Sequence, residues 1–168
     1  TEAAYDPKVD EIKITQYRVA EESAVVNALI TAAKNGKRVT VFVELKARFD
    51  EENNIATSER MKKYGIKIIY STPGLKVHAK VALILRRSER GENIEKSFAY
   101  LSTGNFNEKT AKIYSDMGLF TYNTTLIQDL NLLFNILEGK TAYPHFEQLI
   151  VSPFNMLSSL KEKIAREI

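Results

Sequence analysis

The residues best equipped for chemistry lie in one stretch, Pro73-Gly74-Leu75-Lys76-Val77-His78-Ala79-Lys80. The pattern predicts a strand over 77–85, in which side chains alternate in direction. His78 and Lys80 then share a face with Ala82 and Ile84, while Val77, Ala79 and Val81 share the other. An imidazole and an ammonium stand side by side at the mouth of a sheet. The imidazole is a nucleophile toward phosphorus, and the ammonium neutralises phosphoryl oxygens. Alone, a His-x-Lys tripeptide is more often an inert strand end, because short motifs recur by chance.

A second cluster, Ser102-Thr103-Gly104-Asn105-Phe106-Asn107-Glu108-Lys109-Thr110, follows the next predicted strand. Functional loops of α/β folds sit in such places. Gly104 lets backbone approach a ligand closely, and Thr103, Asn105 and Asn107 offer hydrogen bonds. By itself the cluster reads as an ordinary polar turn capping a short helix. His145, in Tyr143-Pro144-His145-Phe146, has Glu147 where a second His-x-Lys would need lysine, and it is read as structural.

The elements that must position these groups are legible as a rhythm. Strands are predicted over 12–19, 38–45 and 66–70. Helices lie between them, over 24–34, capped by Ser23 and stopped by Asn35-Gly36, and over 54–64, ended by Gly65. Strand, helix, strand, helix, strand implies parallel α/β layering with right-handed crossovers. After Pro73-Gly74 the rhythm changes to strands over 77–85 and 97–101, joined by a polar turn around Arg90-Gly91-Glu92-Asn93. A further strand over 117–122 and helices over 124–137 and 156–168 complete the chain. The expectation is an α/β fold in one domain over 1–168, with a mixed sheet in 1–122 and a helical tail in 123–168.

Composition sets the limits. The 168 residues are 44% hydrophobic and 27% charged, enough for a real core and unlike a disordered chain. There is no apolar run near the roughly 20 residues of a membrane-spanning helix, and no basic-then-apolar amino terminus. The absence of cysteine excludes disulfides and thiolate metal sites and suits a reducing, cytoplasmic setting. With 24 basic against 21 acidic residues the net charge is only +3, so no nucleic-acid partner is expected and any anion site must be local.

Taken together, His-x-Lys on a strand and a Thr-Gly-Asn loop after the next strand resemble the half-site of the phospholipase D superfamily, which uses a histidine nucleophile. The pattern departs from that superfamily at Leu85, where an aspartate is usual, and at Ser102, where a glycine is usual. The departures fit one branch. The stretches ITQYRVAEES, VFVELKARFDEENN, PGLKVHAK and STGNFNEKTAKIYSDMGL resemble the first of two carboxy-terminal catalytic domains of long-chain polyphosphate kinases, from about residue 6 to 153. The resemblance implies a phospholipase D-like mixed sheet flanked by helices, and phosphate transfer from ATP to polyphosphate, reversibly, through phosphorylated His78 with Lys80 beside it. It further implies that Arg18 and Arg48 belong to the phosphate and magnesium site, and that Asn105 and Tyr114 contact phosphate or nucleotide. Mg²⁺ is the implied cofactor. The remaining domains of a longer chain and a homo-oligomer are the implied partners, in a cytoplasmic protein that can lie against a membrane.

The residues themselves support part of this. Arg18 is placed at the end of the first strand and Arg48 after the second, so both can project from the edge that carries His78. Guanidinium groups grip phosphate oxygens in pairs and do not deprotonate. A cation is a poor metal ligand, so Mg²⁺ is expected to reach them through phosphate. The bland alternative pairs these arginines with Glu21, Glu22, Asp50 or Glu51. Lys76, Lys109 and Lys112 can guide a polyanion or simply face water. Two other functions stay open at this level: a phosphodiesterase or nuclease half-site, and a non-catalytic polyanion-binding module.

Overall fold

The computed structural model describes residues 1–20, 22–45, 51–71, 74, 76–88, 91–141 and 144–168. Six strands form one mixed sheet: β1 (Val9–Gln16), β2 (Arg38–Val43), β3 (Lys67–Tyr70), β4 (Lys80–Ser88), β5 (Gly91–Ser102) and β6 (Gly118–Thr121). Their spatial order is β3-β2-β1-β4-β5-β6. β1, β2 and β3 run parallel, whereas β1 with β4, β4 with β5 and β5 with β6 are antiparallel. The sense of pairing therefore switches at β1.

Helices α1 (Glu2–Tyr5), α2 (Ala24–Lys34), α3 (Glu51–Lys62), α4 (Thr124–Leu137) and α5 (Met156–Ala165) complete the fold. Ser23 Oγ accepts from the Val26 N–H to start α2, and Gly36 turns the chain out with a φ of 78°, the left-handed conformation glycine adopts without strain. One core packs α2 and Met61 of α3 against Ile12 and Ile14 of β1 and Val39, Val41 and Val43 of β2. A second packs Ile127, Leu130 and Phe134 of α4 against Val81, Leu83 and Leu85 of β4 and Ala99 of β5. Ala82 and Ile84 lie against the first core and Leu83 and Leu85 in the second, so the period of two along β4 sends alternate residues to opposite layers. Of the helical tail expected over 123–168, α4 is thus a sheet-covering element, while α5 buries none of its residues. No helix among the described residues is long and apolar enough to cross a membrane.

Several boundaries differ from the sequence-based expectation. β1 ends at Gln16, so Arg18 lies two residues beyond the strand rather than at its end. β4 begins at Lys80 rather than at 77, which leaves His78 in the extended segment that leads into it. β5 starts at Gly91, so residues 91–93 belong to the strand, not to a turn. α3 starts at Glu51 instead of 54, and α1 was not expected. Glu21, Arg48 and Asp50 lie outside the described residues.

Candidate active site

Four strand ends meet at one edge of the sheet. The carboxyl ends of β1 and β2 lie beside the amino end of β4, and Lys80 pairs with Ser102 at the carboxyl end of β5. In open α/β sheets, ligands bind outside the carboxyl ends of strands where the connection sense reverses. β1, with β2 on one side and β4 on the other, is that place.

His78 is exposed at this edge, and Lys80 is 3% exposed beneath it. The Lys80 Nζ lies 3.0 Å from both His78 ring nitrogens and donates to the His78 carbonyl at 2.6 Å. Partial burial of the His78 ring, followed by the charges of Lys80, Lys76 and Arg18, holds its pKa below the ordinary histidine value. A neutral imidazole, the form with a free nitrogen lone pair, is thereby favoured. Burial and the Arg18 charge also lower the Lys80 pKa, with Asp116 acting in the opposite direction.

The aromatic ring of Tyr17 gathers the group. It meets the His78 ring edge-on, with centroids 4.8 Å apart at 77°. Lys80 Nζ, Lys76 Nζ and Arg18 Cζ lie 5.0, 5.7 and 5.8 Å from its centroid. Each is within the range of cation–π attraction. Three cations around one ring make a place for an anion with several oxygens, facing a neutral nitrogen nucleophile.

Two buried polar side chains fix the backbone on either side of His78. The Thr15 hydroxyl donates to the Ala79 carbonyl at 2.7 Å and accepts from the Val81 N–H at 3.0 Å. The Glu44 carboxylate accepts from the Val77 N–H at 2.9 Å. Thr15 sits near the carboxyl end of the mixed strand β1, and Glu44 just past the largely apolar β2. Sequence reasoning passed over them and over Tyr17; a polar residue closing a largely apolar run is a signal for Glu44, whereas Thr15 stands in a mixed strand that offers none.

Residues 1–143 match the family model described as polyphosphate kinase C-terminal domain 1. The chain belongs to that family. It is 47% identical to the polyphosphate kinase of Synechocystis sp. over 167 residues, covering 99% of this chain and 22% of that protein. It is 46% identical to the polyphosphate kinase of Escherichia coli K12, covering 99% of this chain and 24% of that one. The crystal structure of polyphosphate kinase from Porphyromonas gingivalis superposes with a TM-score of 0.87 at 55% identity, over 99% of this chain and 27% of that one. The chain spans about a quarter of the length of these polyphosphate kinases.

Within this polyphosphate kinase domain, the other expected site residues separate into groups. Arg18 and Lys76 join His78 and Lys80. Asn105 is in the loop that leaves β5 beside Lys80. Its carbonyl accepts from the Asn107 N–H at 2.8 Å, and its side-chain Oδ1 is enclosed without a hydrogen-bond partner among the described residues. Tyr114 is 66% exposed, and no hydrogen bond or ring contact among the described residues links its side chain to His78, Lys80 or Arg18. Lys109 lines a cleft of about 440 Å³ with Val19, Ala20, Glu52, Asn53 and Asn107, next along the chain from Arg18. Lys112 is exposed on a short 3₁₀ turn.

The 102–104 loop is tied to the turn before β6. Thr103 N–H and Ser102 Oγ donate to the Met117 carbonyl at 3.0 and 3.1 Å, and Thr103 Oγ1 donates to Asp116 Oδ1 at 3.3 Å. A Cβ on Gly104 would stand 2.3 Å from Asp116 Oδ2, so only glycine leaves room for that carboxylate. Glycine is required here for space, not for conformation.

Among the described residues, no side chains at His78 are placed to ligate a magnesium ion directly. The described residues hold no group of three His, Asp or Glu side chains placed for a metal. The charges gathered at His78 are cationic, and a guanidinium such as that of Arg18 repels a metal ion.

Proposed function

We propose that this domain carries the phosphate-accepting histidine of a polyphosphate kinase. Neutral His78 attacks the γ-phosphorus of ATP; an N–P bond forms, the bridging P–O bond breaks, and ADP leaves with the electron pair. The phosphohistidine then donates to the terminal phosphate of a polyphosphate chain, and the reverse sequence makes ATP. Lys80, Arg18 and Lys76 hold the oxygens on which charge accumulates, and Arg48 is assigned the same role by resemblance alone. Mg²⁺ belongs with the nucleotide's phosphate oxygens as part of the substrate, and Asn105 and Tyr114 are assigned to phosphate or nucleotide contact.

The observation that carries the reading is the 3.0 Å approach of Lys80 to a His78 ring kept neutral by its surroundings, in a chain that matches polyphosphate kinases over nearly its whole length. A phospholipase D-like phosphodiesterase is disfavoured. The position of that superfamily's aspartate is Leu85, 1% exposed in the core under α4. The second half of the site, the adenine pocket and the surfaces of a homo-oligomer are assigned to the rest of the parent chain, working in the cytoplasm or against a membrane.

The test is to incubate the domain and the full-length parent with Mg²⁺ and γ-labelled ATP, each with a His78→Ala control. Acid-labile, base-stable label on the native parent, absent from its His78→Ala form, is the expected result. Equal label on both forms of the parent removes His78 from the mechanism.

A further inference from the structure

Glu44 is 1% exposed and follows β2 directly. Its own backbone is held by two neighbouring elements. The N–H donates to the Gln16 carbonyl of β1 at 3.0 Å, and the carbonyl accepts from Asn54 Nδ2 of α3 at 3.1 Å. From this fixed base the carboxylate reaches both ends of the connection that runs from β3 to His78. Oε1 accepts from Ser71 Oγ at 2.9 Å, one residue past β3, and Oε2 accepts from the Val77 N–H at 2.9 Å, one residue before His78. Ser71 is tied again through its N–H to the Val43 carbonyl at 3.1 Å.

We propose that Glu44 is a positioning residue for His78, an inference that rests on the nucleophilic role given to His78 above. A carboxylate suits the task because it offers two acceptor oxygens at fixed separation, and both donors here need an acceptor. An amide keeps one neutral oxygen, so either its NH₂ meets the Val77 N–H or the Ser71 hydroxyl must reverse to accept, giving up its present donation. Bonds to an ionised acceptor are also shorter and stronger than neutral ones. Thr15 fixes Ala79 and Val81 on the far side, so releasing Val77 removes the backbone anchor on the near side of His78, leaving the Lys80 bond to its carbonyl and the Tyr17 ring. Attack on phosphorus is sensitive to such slack, since a misplacement of about 1 Å costs on the order of 10²-fold in rate.

The experiment uses the full-length parent with Glu44→Gln, Glu44→Asp, Ser71→Ala and His78→Ala. It measures kcat, KM for ATP and phosphoenzyme formation, with Asp129→Ala as a destabilised control remote from the site. The expected result is a kcat loss of roughly 10²-fold in Glu44→Gln with KM within about threefold. Glu44→Asp recovers at least tenfold of it, and Ser71→Ala loses roughly tenfold because one anchor remains. If Glu44→Gln fails to fold, the Ser71→Ala and Glu44→Asp pair still decides, since both fully active would overturn the proposal. Loss of kcat in Asp129→Ala equal to that in Glu44→Gln would also overturn it, by reducing the effect to stability. An inactive His78→Ala with active Glu44 variants would sink the positioning role alone, whereas label persisting in His78→Ala would sink the reading beneath it.

Discussion

The Lys80 ammonium lies 3.0 Å from both ring nitrogens of His78. An atom equidistant from the two lies along neither in-plane lone pair, so the contact leaves the ring nitrogens' lone pairs open. It is a charge set against the ring, and it favours the ring's neutral form. Proton NMR of the histidine ring, assigned with His78→Ala, is expected to show His78 titrating below the ordinary value of 6.5. Lys80→Gln removes the nearest of the positive charges, so the midpoint moves upward, though not fully back, because ring burial remains. Since the neutral form is lost as pH falls through the lowered midpoint, labelling by ATP should persist to lower pH than an unperturbed histidine allows. An unmoved midpoint in Lys80→Gln would contradict the contact.

Glu138, one residue past α4, receives Lys140 Nζ at 2.8 Å and Lys67 Nζ at 2.7 Å, with Lys13 Nζ at 3.5 Å. Burial by itself would raise its pKa, but the hydrogen bonds from Lys140 and Lys67 and the charge of Lys13 bring it down to about 2. The unfolded chain binds the proton first as pH falls, so this stability is present above about 4.5 and drains away toward about 2. Its ceiling is about 3 kcal/mol, at roughly 1.4 kcal/mol per pH unit, and solvent around Lys67 and Lys140 reduces it further. Urea midpoints measured at pH 7, 4 and 2.5 should converge for the native domain and Glu138→Gln as pH falls. A constant gap between them would refute the assignment.

Asp129 is buried on α4 and accepts three backbone N–H groups, from Glu147 at 3.1 Å and from Gln148 and Leu149 at 2.8 Å. It pins the segment that carries buried Phe146. Asp129→Ala should cost roughly 1–2 kcal/mol, because three part-buried backbone N–H groups lose their acceptor. Limited proteolysis should then cut within 144–150 while the sheet survives. Unchanged protease resistance would argue that Phe146 alone holds the segment.

Gly104→Ala places a methyl where the Asp116 carboxylate now sits. The carboxylate must move, the Thr103–Asp116 hydrogen bond is lost, and Lys80 loses the charge that favours its protonated form. The single variant should destabilise the domain by about 1–2 kcal/mol. Asp116→Gly placed with it should relieve the collision, since an alanine would still leave its Cβ 2.8 Å away, giving a double variant more stable than the sum of the two singles predicts. Strict additivity in thermal unfolding would show that the two residues do not meet.

The parallel half of the sheet was readable because its signals are local. Ser23 caps α2, Asn35-Gly36 and Gly65 stop helices, and Val39, Val41 and Val43 alternate. The start of β4 was not readable, and the reason is tertiary. The hydroxyl of Thr15 and the carboxylate of Glu44 take backbone groups of Ala79, Val81 and Val77 that a ladder would otherwise use. Pattern alone carried the strand back to 77. The pairing of His78 with Lys80 was legible from their spacing of two. The convergence of Tyr17, Arg18 and Lys76 on that pair depends on a pairing of β1 with β4 across some 66 residues, which no short motif encodes.

The switch in pairing sense at β1 gives the pocket an assembly rule. Arg18 hangs from the half whose strands run alike and are bridged by helices; His78, Lys80 and Gly104 hang from the half folded back on itself in hairpins. Either half formed alone carries only its own share of charges, with nothing facing them. The charges of Arg18, Lys76 and Lys80 meet around Tyr17 only where the seam between the halves is closed, through contacts distant in sequence. An anion bound by both halves would be a bolt through the join, drawing its binding energy from both sides and returning it as resistance to their parting.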